Sequence, residues 1–322
     1  MTLRVGLDIG GTKTAAVVVD HDGQVLGRAV RPTDGANPDA LIGATVETVK
    51  LALSDSARPN DTLIAAGVGV PGQVDPASGT VRLAVNLNLR EPFRLREALQ
   101  EALGVPVALE NDVRAAAWGA YHWARSTQPL TSLAYLSVGT GIAAGLVLDG
   151  RLYRGAHGMA GEIGHIPMDP AGPRCVCGAT GCLEAIAAGP AISAAAARAN
   201  IRTHSGRPPS TKEVFSLAAG GHPEAVAIVD HAAGFLSRAI YLLLMAYDVE
   251  KVVLGGGVTQ SGDAFEQPLR NAMKALRANS ALVASMMPDE KAGIVPPHFH
   301  AGVMGAVQLA LDPGPVLRQG GE

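Results

Sequence analysis

A strand broken by a glycine turn and then resumed occurs twice in this chain. Leu3-Arg4-Val5-Gly6-Leu7-Asp8-Ile9 has the apolar alternation of a strand, Gly10-Gly11-Thr12-Lys13 interrupts it, and Ala15 to Val19 resumes it. The turn His21-Asp22-Gly23 leads into a third strand, Gln24 to Arg31, so the chain opens on two successive hairpins. Leu133 to Val138, Gly139-Thr140-Gly141 and Ile142 to Leu148 repeat the device, with Asp149-Gly150 as the next turn. Two halves that each start this way predict a duplicated α/β fold around a cleft.

The segments between and after these hairpins supply the helices and the remaining strands. Asn37-Pro38 reads as an N-cap followed by proline at the first helical position, with Leu41, Ile42, Thr45, Val46, Val49 and Leu53 along one helix face. Leu63 to Val70 is a buried strand ended by Pro71-Gly72, Leu95 to Leu103 a helix, Val105 to Leu109 a strand and Val113 to Ala124 an alanine-rich helix. A long helix is expected over Glu224 to Ala246, then a strand Lys251 to Leu254 ending in Gly255-Gly256-Gly257, and a last helix Val303 to Leu311. Arg202 to Thr211 reads as a surface loop, and the chain from Pro313 as a frayed tail.

Composition narrows the classes. The length of 322 residues suits two domains at roughly 100–200 residues each. Lys and Arg number 26 against 29 Asp and Glu, a formal charge of -3, which leaves no cationic excess for a polynucleotide. No apolar run approaches the roughly 20 residues of a membrane span, and Met1 to Gly6 lacks a signal peptide's charged start and apolar stretch. A cytoplasmic location is the expectation.

Asp8-Ile9-Gly10-Gly11-Thr12-Lys13 places an acid at a strand end, then two glycines, a hydroxyl and a cation. Glycines let backbone N–H groups approach a phosphate without an obstructing Cβ, and the acid can hold Mg²⁺ through water. The spacing is neither that of a P-loop nor that of a dinucleotide-binding fingerprint, and a plain hairpin turn is the competing reading. Thr140-Gly141 and Gly256-Gly257 are further candidate nucleotide turns, each after a strand. Together the three are more specific than any one.

Glu110-Asn111-Asp112 follows a strand and precedes the alanine-rich helix. A carboxylate there suits a general base, and Asn111 can both donate to and accept from a sugar hydroxyl. The competing reading makes Asp112 the cap of the helix.

The three cysteines, Cys175, Cys177 and Cys182, lie in one glycine-rich stretch just after Glu162-Ile163-Gly164-His165. An odd, clustered set excludes a spread disulfide framework. With His165 it forms a Cys₃His set, the inventory of a closed structural zinc site. A redox dithiol is the rival, but Cys-x-Cys is not Cys-x-x-Cys. Glu162 and Glu184 bracket the cluster and are placed to grip substrate hydroxyls.

Asp8-Ile9-Gly10-Gly11-Thr12-Lys13, Glu110-Asn111-Asp112, Glu162-Ile163-Gly164-His165 and Cys175-x-Cys177-Gly178-x-x-Gly181-Cys182-x-Glu184 resemble, in order and spacing, the ROK family of bacterial sugar kinases and related repressors. The resemblance covers nearly the whole chain. It implies an actin/hexokinase-like, ribonuclease H-like fold of two α/β domains with an interdomain cleft. The smaller domain is expected to hold residues 1–113 plus 303–322 and the larger 114–302, with a zinc loop at 165–182. By matching position, Asp112 is the base for the 6-hydroxyl of a sugar, and Gly72, Asn86, Asn111, Glu162, His165 and Glu184 lie on the sugar side. His165 is expected to use one ring nitrogen for zinc and the other for sugar. Asp8, Gly10, Gly11, Thr12, Lys13, Thr140, Gly141, Gly256 and Gly257 are expected to serve ATP with Mg²⁺.

The chain departs from the family pattern at Asn88, Leu89, Arg114, Ala120, Ala143 and Ala144, which bears on sugar identity. The resemblance points first to a glucokinase-like enzyme, a homodimer or tetramer acting on a small sugar and on neither nucleic acid nor membrane. N-acetylglucosamine, N-acetylmannosamine or fructose is the alternative substrate. A sugar-sensing repressor is the non-enzyme alternative. With the first strand at Leu3, no DNA-binding module is expected ahead of it.

Overall fold

The computed structural model describes residues 2–312 except 59 and 204. They form two compact units. One holds residues up to 130, 145–160 and those from 298, and the other holds 131–144 and 161–297. The boundary expected after residue 113 does not coincide with this division.

The first unit begins with β1 (Thr2–Ile9), β2 (Lys13–Val19), β3 (Val25–Pro32), α1 (Pro38–Asp55), β4 (Thr62–Val70), β5 (Gln73–Asp75), β6 (Thr80–Leu83), α2 (Leu95–Leu103), β7 (Val107–Asn111) and α3 (Asp112–Arg125). Its sheet has the order β3-β2-β1-β4-β7. The hairpins make β1, β2 and β3 antiparallel, whereas β4 and β7 lie parallel to β1. Leu3, Val5, Leu7 and Ile9 join one core with Leu41, Val49, Leu95 and Leu99 of the helices. Asn37 caps α1, its side chain accepting from Ala40 N–H, with Pro38 in the first turn.

The chain continues with β8 (Leu133–Val138), β9 (Ile142–Leu148), β10 (Arg151–Tyr153), α4 (Leu183–Ala187), α5 (Gly189–Arg198), α6 (Thr211–Ala219), α7 (Pro223–Tyr247), β11 (Lys251–Gly255), α8 (Asp263–Ala278), α9 (Ala281–Met286), β12 (Ala292–Ile294) and α10 (Ala301–Leu311). The second sheet has the order β10-β9-β8-β11-β12, which corresponds strand for strand to the first. Again β11 and β12 extend it in parallel. The duplication foreshadowed by the two glycine-turn hairpins is therefore present.

The last helix, α10, lies in the first unit, where Val303 and Val307 pack against Val17 and Val19. Its approach to the sheet depends on glycine. A Cβ on Gly67 would stand 1.9 Å from Ala306 O, and one on Gly305 would stand 1.7 Å from Ala115 O of α3. Backbone therefore packs on backbone at both crossings.

Some elements differ from the sequence reading. α7 has 25 residues and is long and apolar enough to cross a membrane by length and composition, although no such run was apparent. Asp230, His231 and Arg238 interrupt its apolar sequence, and Ala225, Val229, Leu236, Ile240 and Leu244 are buried within the second unit. α8, which the sequence reading did not include, carries Pro268 inside it and buries Phe265, Leu269 and Met273 at four-residue spacing. Ser210 ends the expected 202–211 loop with a capping box to Glu213. The expected tail from Pro313 lies outside the described residues.

Candidate functional site

In the first unit the β1–β2 turn is pinned at its base. Gly10 N–H donates to Lys13 O at 2.9 Å, and the Thr33 hydroxyl donates to Gly10 O at 2.7 Å. Gly11, Thr12 and Lys13 are exposed, which leaves the turn open. Asn86 stacks on it, since a Cβ on Gly11 would lie 2.9 Å from Asn86 Cβ. Asp8, just before the turn, is pushed up to about 6 by burial and by the negative charge of Asp112, with Lys13 opposing. Its carboxylate also lies against the first turn of α10, because a Cβ on Gly302 would be 2.6 Å from Asp8 Oδ2. Asp8, Lys13, Asn86 and Asp112 thus share one region of this unit.

The end of β7 carries Glu110-Asn111-Asp112. Asn111, not Asp112, caps α3: its Oδ1 accepts from Val113 N–H at 3.0 Å and Arg114 N–H at 3.1 Å. Its Nδ2 donates to Gly72 O at 3.1 Å. This fixes Asn111 to Gly72, whose φ of 99° and clearance of only 2.1 Å between a Cβ and Leu83 O admit glycine alone. The cap reading of Asp112 is therefore corrected. A cap needs extended backbone with its side chain folded over the following N–H groups, and Asn111 has that conformation at ψ 144°. Asp112 is the first helical residue, and its Oδ1 accepts from Val113 N–H at 2.9 Å. At that position the Val113 N–H bond and the helix dipole favour a carboxylate.

Glu110 is fully buried and paired with Arg114 and Arg154 at 2.6 and 2.7 Å, which removes it as a base for substrate.

In the second unit the β8–β9 turn closes with Gly139 N–H donating to Gly141 O at 2.9 Å, and Thr140 is exposed. The β11 turn lies beside it: a Cβ on Gly139 would be 3.8 Å from Gly257 N, and one on Gly256 would be 2.4 Å from Val138 O. Thr140, Gly141, Gly256 and Gly257 are thus brought together. Glu184 reaches the same turn, its Oε2 accepting from Ile142 N–H at 2.9 Å. A Cβ on Gly141 would come within 2.5 Å of that oxygen. Glu184, read from sequence as a sugar ligand, therefore braces the phosphate-type turn with one oxygen. Glu162 is exposed, and its side chain meets no hydrogen-bond or ion-pair partner among the described residues.

The single nitrogen and three sulfurs of His165, Cys175, Cys177 and Cys182 all lie within 4.8 Å of one another. Cys177 Sγ and Cys182 Sγ are 3.7 Å apart, as are Cys175 Sγ and His165 Nδ1. A tetrahedron with Zn–S bonds of about 2.3 Å has edges of about 3.8 Å, so the donor set has the size and chemistry of a zinc site. The knuckle is built by Gly178 N–H donating to Cys175 O at 3.0 Å and Cys175 N–H to Ala179 O at 2.8 Å, with Gly178 at φ 95°. Backbone and neighbouring donors bring the exposed Cys177 thiol down to about 7, whereas burial pushes Cys182 up to about 12. Nδ1 is the nitrogen that faces the sulfurs, which turns Nε2 away from them.

Two features of the site escaped the sequence reading. His300, just before α10, has its pKa lowered by burial and then by the cations Lys13, Arg28 and His298. Only its place ahead of the last helix could have drawn attention to it. Arg154 is joined to Glu110 across 44 residues, a contact that no local pattern reveals.

Comparison with known proteins follows the same lines. The family model described as "ROK family" matches residues 4–313. A glucokinase of Streptomyces coelicolor is 33% identical over 332 aligned residues, covering 98% of this chain and 100% of its own. An N-acetylmannosamine kinase of Citrobacter koseri is 36% identical over 262 residues, 79% of this chain and 83% of its own. The crystal structure of a ROK family glucokinase from Streptomyces griseus in complex with glucose and AMPPNP superposes with a TM-score of 0.77 at 29% identity, covering 96% of this chain and 99% of that one.

Proposed function

The chain belongs to the ROK family, and we propose on that footing that it is an ATP-dependent hexose kinase whose first substrate is glucose. The observation that carries this reading is the grouping of Asp112, at the helix start, with Asp8 and Lys13 of the glycine turn. A base and a phosphate-binding turn side by side are what phosphoryl transfer to a hydroxyl requires.

In this mechanism Asp112 accepts the proton of the sugar's 6-hydroxyl as that oxygen attacks the γ-phosphorus of ATP. The bond from phosphorus to the bridging oxygen breaks, and ADP leaves. Val113 N–H, donating to Asp112 Oδ1, holds that carboxyl at the start of α3. Asn111, anchored to Gly72, together with Asn86, Glu162, Glu184 and His165 Nε2, orients the sugar. Glu184 holds the Gly139–Gly141 turn through Ile142 N–H. Gly10, Gly11, Thr12, Lys13, Thr140, Gly141, Gly256 and Gly257 receive the nucleotide.

Mg²⁺ fits beside Asp8, whose carboxylate is crowded by the charge of Asp112 and gains from a cation. Bound there it supplies charge neutralisation for the triphosphate. Zinc fits His165, Cys175, Cys177 and Cys182, all four positions of a closed structural site, where it locks the loop that carries Glu162 and His165. The same reading makes the protein a cytoplasmic homodimer or tetramer.

Asp112→Asn is expected to leave sugar and nucleotide affinity within about twofold and to lower kcat by about 10²–10⁴. Near-normal turnover in that variant would remove Asp112 as the base. The 36% identity with the Citrobacter koseri N-acetylmannosamine kinase favours one second reading, an N-acetylhexosamine substrate. Comparison of kcat/KM for glucose and N-acetylmannosamine decides between them.

A further inference from the structure

Behind Asn111 and Asp112 lies a buried group that the mechanism does not use. Glu110 is fully buried, and the side chains of Arg114 and Arg154 are 6% and 9% exposed. Glu110 Oε1 accepts from Arg114 Nε at 2.6 Å and from Asn111 N–H at 2.8 Å. Its Oε2 accepts from Arg154 Nε at 2.8 Å. Arg114 then reaches further, Nη1 donating to Gly158 O at 2.8 Å and Nη2 lying 3.5 Å from Val74 O. Two cations and one anion leave this interior group with a net positive charge.

Removing three charged side chains from water is costly, and well-packed apolar residues would stabilise the same volume as well or better. Stability alone does not account for the group. Its hydrogen bonds have a specific reach. One end fixes the peptide N–H of Asn111, immediately before Asp112. The other holds the carbonyl of Gly158, in the segment that enters Glu162 four residues later. The same segment is closed on itself by Ala160 N–H donating to Arg154 O at 3.2 Å. Arg114 also stands where the resemblance leads one to expect asparagine, whose shorter side chain has no fork to span these partners.

Resting on the kinase reading above, we propose that Arg114, with Glu110 and Arg154, is a positioning device that sets the base-bearing strand end and the 154–160 segment in one fixed register. Neither guanidinium touches substrate. Each acts through what it holds: Arg114 through Gly158 and Glu110, and Arg154 through Glu110. Misplacing a reacting group by about 1 Å costs on the order of 10²-fold in rate, so a loss of this register is read in kcat and in sugar affinity. The nucleotide turn at Gly10–Lys13 is pinned separately by Thr33 and is unaffected.

The test uses Arg114→Met and Arg114→Lys in the full chain. Removing Arg114 leaves Glu110 and Arg154 as a neutral buried pair, so Arg114→Met is expected to fold. Arg114→Lys keeps the charge on a single donor nitrogen but not the fork. The wild-type protein is assayed first, and its failure to phosphorylate any hexose would count against the kinase reading and not against this inference. With an active wild type, Arg114→Met is expected to lower kcat by about 10–100-fold and to raise the sugar KM, with the ATP KM within about twofold. Calorimetric titration with glucose alone should show the same loss of sugar affinity. Arg114→Lys should recover part of both. Sugar and ATP constants that stay within twofold of wild type in folded Arg114→Met, or that worsen together, overturn the proposal. If Arg114→Met does not fold, the Arg114→Lys constants decide alone on the same criterion.

Discussion

Replacing Asp8 by asparagine should make the protein more stable while abolishing its activity, and the gain should depend on pH in a defined sense. The Asp8 carboxyl rises from 3.8 to about 6 on folding, because it is half-buried and desolvated and faces Asp112. The folded state therefore binds this proton more tightly than the unfolded chain does. Stability from this group is greatest in acid and is lost as pH rises from the unfolded value through the folded one. At about 1.4 kcal/mol per tenfold change in proton affinity, ionised Asp8 costs about 3 kcal/mol at about pH 7.5 and about 1 kcal/mol at about pH 4.5. Asp8→Asn removes that cost, so its advantage over wild type should shrink by about 2 kcal/mol between the two conditions. Urea unfolding at both pH values, without Mg²⁺ or nucleotide, measures this directly. A gain equal at both pH values, or a loss at the higher one, would refute the claim that Asp8 is held ionised against its surroundings. Mg²⁺ with nucleotide should narrow the gap further, by stabilising wild type and not the variant.

Two other expectations follow from the same geometry. Purified protein should carry one zinc per chain, and chelation should raise the sugar Kd by more than the ATP Kd, because His165 and Glu162 sit on the zinc loop. Equal loss of both, measured by calorimetry, would disconnect the metal from the sugar side. Gly305→Ala, an exchange that ordinarily gains about 1 kcal/mol in a helix, should instead lose about 3 kcal/mol or more, since the new Cβ would stand 1.7 Å from Ala115 O. Thermal unfolding gives the sign, and a stabilised variant would mean that α10 and α3 separate freely.

The parts of this molecule written in local pattern were legible. The strand, glycine turn and strand device located β1–β2 and β8–β9 because the apolar alternation of a strand stops at Gly10-Gly11 and at Gly139-Thr140-Gly141. The Cys₃His set was legible because its members lie within one short stretch and few chemistries use that inventory. α8 went unread although Phe265, Leu269 and Met273 mark one helix face, because Pro268 within the segment reads as a helix breaker. At β7 the three residues Glu110, Asn111 and Asp112 offered two carboxylates and a cap with nothing local to distribute the roles. Arg154 and Gly158 decided the matter from 44 residues away, by burying Glu110 and leaving Asp112 at the helix start. Glu184 shows the same limit: its sequence neighbourhood is the zinc loop, yet its carboxylate is fixed by Ile142 N–H, 42 residues earlier.

The central claim, phosphoryl transfer from ATP to a hexose with Asp112 as base, is tested most directly by hexose-dependent ADP release. Wild-type protein and Asp112→Asn are assayed over glucose, mannose, fructose, N-acetylglucosamine and N-acetylmannosamine. The account predicts ADP formation that requires sugar, is highest in kcat/KM with glucose, and falls by about 10²–10⁴ in the variant. ADP release that is indifferent to every sugar, or that survives in Asp112→Asn, would contradict it.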